Sequence, residues 1–146
     1  MCNCNSRWVN LAKQIISSNN ISCEEKAVLE YLLTNNHCGI NAGARINDVI
    51  MYVNNNCSSQ YSRENFQHHI LIPLKQRSVI ATLIYPGTKG GLFIPCNPNE
   101  IKQVYKQVLD RVLSELNNIN CIISSSGINQ NVQMLIMQIQ NEINNL

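Results

Sequence analysis

SRENFQHHILIPLKQRSVIATLIYPGTKGGLFIP, residues 62–95, is the stretch whose reading decides the fold. Ser62 suits a helix N-cap, because its hydroxyl accepts from a first-turn N–H that has no partner within the helix. Behind it, Phe66, Ile70, Leu71 and Leu74 recur at three- and four-residue spacing and form one apolar helical face. Pro73 interrupts the run and is expected to kink the helix near its end, since proline lacks the N–H and its ring meets the carbonyl four residues back. Val79 to Tyr85 is apolar and rich in β-branched residues, and Leu92-Phe93-Ile94 reads as its partner strand. Between them Pro86-Gly87 and Gly90-Gly91 bracket Thr88-Lys89, where the chain can reverse tightly. The expectation is one helix followed by a two-stranded hairpin with a basic, glycine-rich tip.

Working outward to the N-terminus, residues 1–6 are expected to be frayed. Ser6 is placed to cap a helix carrying Trp8, Ala12, Ile15 and Ile16 on one face, and 17–20 (SSNN) ends it. Ser22-Cys23-Glu24-Glu25 fits a capping box, serine with glutamate three residues on. The next helix presents Ala27, Val28, Tyr31, Leu32 and Leu33 to the core. Gly39 and Gly43 mark a loop with room for a very short strand. A third helix carries Ile46, Val49, Ile50 and Val53, and 54–59 (NNNCSS) is a turn leading into the helix at Ser62.

Working outward to the C-terminus, Asn97 caps a helix with Pro98 at its first position and Glu100 three residues from the cap. Ile101, Tyr105, Val108, Val112, Leu116, Ile119 and Ile123 form its apolar stripe. Residues 124–127 (SSSG) break it, and Val132, Leu135, Ile136, Ile139, Ile143 and Leu146 repeat the pattern in a last helix. These two stripes exceed what a minimal small domain covers. They either fold back on the N-terminal helix or pair with the same stripes of a second chain, and the dimer is the favoured expectation.

Composition sets bounds. With 146 residues and 45% apolar content, the chain has room for one folded domain, or one with a helical extension. The net charge of +2 is too small to indicate nucleic acid by itself, but Tyr61 to Gly91 holds Arg63, Lys75, Arg77 and Lys89 against Glu64 alone. The seven cysteines are scattered. With no secretory leader and no membrane-length apolar run, they are expected to be reduced thiols of a cytoplasmic protein.

The order helix, loop, helix, turn, helix, hairpin, and the pattern Leu71-x-x-Leu74-x-x-x-Ser78-Val79-Ile80, resemble the end of the recognition helix and the start of the wing in the winged helix-turn-helix superfamily. Ile80–Tyr85, the tip at Thr88-Lys89-Gly90 and Leu92–Ile94 resemble the wing itself. The resemblance covers residues 22–95, with two departures: Gln67 falls on the nominal core side of the helix, and Ser78 stands where glycine is common. It implies a mainly α fold with a small β-hairpin: a winged helix-turn-helix domain with an N-terminal helix over 1–96, and C-terminal helices over 97–146 that serve dimerisation.

What the resemblance implies for function is sequence-specific binding of double-stranded DNA by a dimeric transcriptional regulator or a replication or partition factor. The Ser62 helix would enter the major groove. Arg63 reaches a guanine edge or a phosphate, and Asn65 and Gln67 carry the paired donor and acceptor that suit adenine. His68, His69 and Lys75 face outward, and Thr88 and Lys89 meet phosphates or the minor groove at the wing tip. The competing expectation is a winged-helix module that binds another protein, an adaptor or inhibitor of phage or mobile-element origin, because fold alone does not settle function. Adjacent histidines on a helix point about 100° apart and do not chelate together. Cys2-x-Cys4 has no second thiol pair at zinc-site spacing. GTKGG lacks the residues of a nucleotide phosphate loop. No catalytic residue, metal or cofactor is assigned.

Overall fold

The computed structural model of the protein describes residues 2–83, 91–123 and 129–146. Its elements are α1 (Arg7–Ser17), α2 (Cys23–Thr34), a 3-10 turn (Ile40–Ala42), α3 (Ile46–Cys57), α4 (Arg63–Phe66), a π-helical turn (Gln67–Leu71), α5 (Ile72–Gln76), β1 (Ala81–Leu83), β2 (Gly91–Phe93), α6 (Pro98–Ile123) and α7 (Asn129–Asn144). The fold is mainly helical with a small antiparallel hairpin, a winged helix-like arrangement, as the sequence led one to expect. It divides into two compact units, Met1–Ile101 and Lys102–Leu146.

Helix starts are set locally by the serines. The hydroxyls of Ser6, Ser22 and Ser62 accept from the N–H groups of Val9, Glu25 and Asn65 at 3.1, 3.1 and 3.3 Å. Each satisfies a first-turn donor, a contribution of about 1 kcal/mol. At Ser22 the reciprocal half of the capping box is replaced: the Glu25 carboxylate turns to Arg77, 3.6 Å away. Asn97 caps α6 through the Glu100 N–H at 3.2 Å. The Glu100 side chain, nearly buried, then accepts from the N–H groups of Ile40 (3.1 Å) and Cys96 (2.7 Å), so it ties the 3-10 turn to the start of α6.

The core of the first unit gathers Val9 and Ala12 from α1, Val28, Leu29 and Leu32 from α2, and Val49 and Val53 from α3. Phe66, Leu71 and Leu74 join them from the Ser62 helix, with Val79, Leu92 and Ile94 from the hairpin region, all fully buried. At about 1.5–3 kcal/mol per buried large aliphatic or aromatic side chain, this cluster is the main force holding the Ser62 helix in place.

β1 and β2 pair antiparallel, with Ala81 opposite Phe93, Thr82 opposite Leu92 and Leu83 opposite Gly91. Near Gly39 and Gly43, where a very short strand was expected, the loop between α2 and α3 forms isolated bridges to the hairpin rather than a strand: Ala44 and Leu92 exchange backbone hydrogen bonds at 2.8 and 2.9 Å. Further along, Gly39 donates to the Ile94 carbonyl at 2.9 Å, and Ile94 donates to that of His37 at 3.0 Å. Backbones run so close here that a Cβ on Gly91 would collide with the Ala44 carbonyl oxygen.

Three readings need correction or completion. The thiols are not reduced: Cys2–Cys38, Cys4–Cys96 and Cys23–Cys57 are disulfides with Cα separations of 5.8, 6.0 and 6.0 Å. For the same reason the N-terminal segment is not frayed. Two disulfides hold it, the Cys2 N–H donates to the Leu33 carbonyl at 3.1 Å, and the buried Ser6 hydroxyl donates to the Pro95 carbonyl at 2.8 Å. Pro73 acts through the turn that precedes it, where the Ile72 N–H reaches back five residues to the Gln67 carbonyl and the helix widens into a π turn. The expected strand past Leu83 and the hairpin tip, with Thr88 and Lys89, lie outside the described residues.

In the second unit the Tyr105 hydroxyl on α6 donates to the Glu142 carboxylate on α7 at 3.1 Å. Many apolar side chains here stay exposed: Tyr105, Val108, Ile119 and Ile122 on α6, and Met134, Leu135 and Met137 on α7.

Candidate nucleic-acid interface

The connection from α3 to α4 is a built turn. Ser58 ends α3 in the left-handed region, at φ 52°. The Asn54 side chain then grips the backbone of Tyr61 from both sides, accepting from its N–H at 2.9 Å and donating to its carbonyl at 3.2 Å. Ser59 donates to the Glu24 carboxylate at 2.9 Å, which links the turn to α2. Tyr61, just before the Ser62 cap, packs edge-on against Phe66 with ring centroids 6.1 Å apart, the hydrophobic staple that fixes the entry angle of the next helix. α3, this turn and the Ser62 helix make a helix-turn-helix, and the bridge between Ala44 and Leu92 ties the segment just before α3 to the hairpin.

Of the residues expected at the interface, Arg63, Asn65, His68 and His69 are exposed along α4 and the π turn. Gln67 and Lys75 are half-buried. These six lie on one continuous helical run whose opposite side, Phe66, Ile70, Leu71 and Leu74, is buried. Gln67, the residue that fell on the core side, is where the π turn begins. The widened turn lets Ile70 and Leu71 both stay buried while His68 and His69 reach solvent. Thr88 and Lys89 lie outside the described residues. No group of three or more potential metal ligands occurs among the described residues.

Arg77 is committed elsewhere, donating to the Asn20 carbonyl at 3.0 Å and facing Glu25, so it clamps the α1–α2 connection. Sequence reading missed Arg45. It is exposed, stands at the N-cap position of α3, and follows the bridging Ala44 directly. A cation there, at the positive end of the first helix of a helix-turn-helix, suits a phosphate where that helix crosses a nucleic-acid backbone. The signal was available in the sequence as the residue immediately before the apolar run that starts at Ile46. Exposed Glu64 is the one acid in the first turn of the Ser62 helix and opposes an incoming phosphate.

The chain is 45% identical, over 151 aligned positions spanning 99% of its length and 89% of its relative's, to control protein C.MjaVP of Methanocaldococcus jannaschii. It belongs to the C.MjaVP family. No protein-family model and no solved structure matches it. Because the similarity to C.MjaVP runs nearly end to end, α6 and α7 are part of the chain shared with this relative, not an appended segment. Among the described residues, no helix is long and apolar enough to cross a membrane.

Proposed function

We propose that this member of the C.MjaVP family is a sequence-specific, double-stranded-DNA-binding transcriptional regulator of the winged helix-turn-helix superfamily. It acts as a homodimer and needs no cofactor. The reading is carried by the exposed polar row Arg63, Asn65, His68 and His69, seated on a helix whose other side is locked into the core. The Ser62 helix enters the major groove, where Asn65 and Gln67 face base edges and Arg63 a guanine or a phosphate. Arg45, Lys75 and Lys89, with Thr88, take the backbone. The relative's name, a control protein, favours regulation over replication or partition. The exposed apolar residues of α6 and α7 support the dimer, with 97–146 as the pairing region, and a two-fold protein matches a two-fold operator. The same modest net charge that leaves room for a protein-binding module sets the test.

Affinity for a mixed-sequence duplex, followed by fluorescence anisotropy over a salt series, is expected to fall steeply as salt rises. Arg63→Ala is expected to cost about 1–3 kcal/mol if the side chain reads a base, or to flatten the salt slope by about 1 per protomer if it meets a phosphate. Salt-independent binding, or a variant that binds as the native protein does, would remove the DNA assignment.

A further inference from the structure

The three disulfides differ in where they sit. Cys2–Cys38 and Cys4–Cys96 fasten the N-terminal segment; Cys2 is only 7% exposed and Cys4, Cys38 and Cys96 are half-buried, so neither bond has an exposed cysteine. Cys23–Cys57 joins the first residue of α2 to the last residue of α3, with Cys23 exposed and Cys57 half-buried. It spans the joint at which the chain leaves α3 for the Ser62 helix. The hydrogen bond from Ser59 to Glu24 crosses the same joint, one residue further along α2.

We infer that Cys23–Cys57 is a redox-sensitive clasp that governs how firmly the Ser62 helix is presented, opened by a dithiol reductant while the other two disulfides stay closed. The inference rests on that helix being the presented element. Access is the first reason, since exchange requires a thiolate to reach a disulfide sulfur. The second is the position of Cys23 at the N-terminus of a twelve-residue helix, which favours the thiolate and so makes Cys23 a good leaving group. The carboxylates of that turn are already engaged, Glu24 by Ser59 and Glu25 by Arg77. In the reaction, a thiolate of the dithiol attacks the exposed Cys23 sulfur, the Cys23–Cys57 bond breaks, and Cys57 departs as a thiolate. The second thiol of the reductant then attacks the reductant's sulfur in the mixed disulfide and releases Cys23 as a thiolate. The reductant leaves as a disulfide, and its two protons end on Cys23 and Cys57. With the clasp open, the α3–α4 turn keeps its hydrogen bonds from Asn54 and Ser59 but no covalent tie.

The test titrates the full-length oxidised protein with dithiothreitol, traps thiols by alkylation and maps them by mass spectrometry. Parallel samples go to amide hydrogen exchange and to anisotropy on a mixed-sequence duplex. Cys23 and Cys57 are expected to be alkylated at about tenfold less reductant than the other four disulfide cysteines. Over the same range, protection across 58–66 should fall about tenfold and duplex affinity about fivefold. The double variant Cys23→Ser/Cys57→Ser should show the reduced-state values with no reductant present and should not respond to it. Opening of all three bonds together, or of either other bond first, would overturn the inference. So would unchanged protection once Cys23–Cys57 is open, or unchanged affinity where the oxidised protein binds the duplex. An oxidised protein with no affinity for duplex would overturn the DNA reading alone, and the labelling order and exchange would then decide the clasp.

Discussion

Ser78 follows the Ser62 helix with φ at 62°, the left-handed region where a Cβ costs roughly 1–2 kcal/mol and glycine costs little. The departure seen in sequence, serine where glycine is common, is thus a residue held in a conformation that glycine prefers. Ser78→Gly is expected to stabilise the fold by about 1 kcal/mol, read as a raised midpoint in chemical denaturation. Gly91 is the opposite case. Its missing Cβ is what allows the Ala44 backbone to approach, so Gly91→Ala is expected to destabilise by about 2 kcal/mol or more and to loosen the exchanged bonds between Ala44 and Leu92, visible as lost amide protection at both residues. The roles of Ser6, Ser22, Ser62 and Asn97 were legible in sequence, because a cap and the N–H group that donates to it lie three residues apart. Those of Glu25 and Glu100 were not. Each glutamate bonds to a group that only the folded chain brings near, Arg77 for the first and the Ile40 N–H for the second.

The Ser62 helix was the element best marked by its pattern, and Phe66, Ile70, Leu71 and Leu74 are all buried. Periodicity did not reveal the π turn, in which the Ile72 N–H reaches back five residues to the Gln67 carbonyl just before Pro73, because the same apolar spacing fits a regular helix. The candidate site inherits both features: its exposed residues follow from the helix phase, and half-buried Gln67 stands where the widened turn begins. In the second unit, α6 and α7 are linked by the Tyr105–Glu142 hydrogen bond. That bond to the carboxylate, then a slight loss of hydration, then the negative charge hold the Tyr105 phenol above its ordinary value of 10.0. A raised value means that the neutral phenol is favoured in the fold. The interaction is therefore complete below pH 10 and lost as pH rises through the higher folded value. In a spectrophotometric titration Tyr105 is expected to ionise at higher pH than an unperturbed tyrosine, and Glu142→Gln to bring it back towards the ordinary range.

At the scale of the whole molecule, α6 and α7 expose apolar side chains, and a second copy of the same helices is the partner proposed for them. Sedimentation equilibrium is expected to give a dimer for the full chain and a monomer for Val108→Glu/Ile119→Glu, with helical content unchanged by circular dichroism. A full chain that is monomeric at tens of micromolar would exclude this role for the helices. The amino-acid sequence by itself determined where helices begin, which of their faces are apolar, and that a short hairpin follows the Ser62 helix. These features depend on groups within about one helical turn or one tight reversal of each other. Only the tertiary structure decided the pairing of six cysteines across separations of 36, 92 and 34 residues, the docking of Ala44 on Leu92, and the diversion of Arg77 to Glu25. Such contacts join groups that become neighbours only when the buried core brings distant segments together, and no local spacing encodes them.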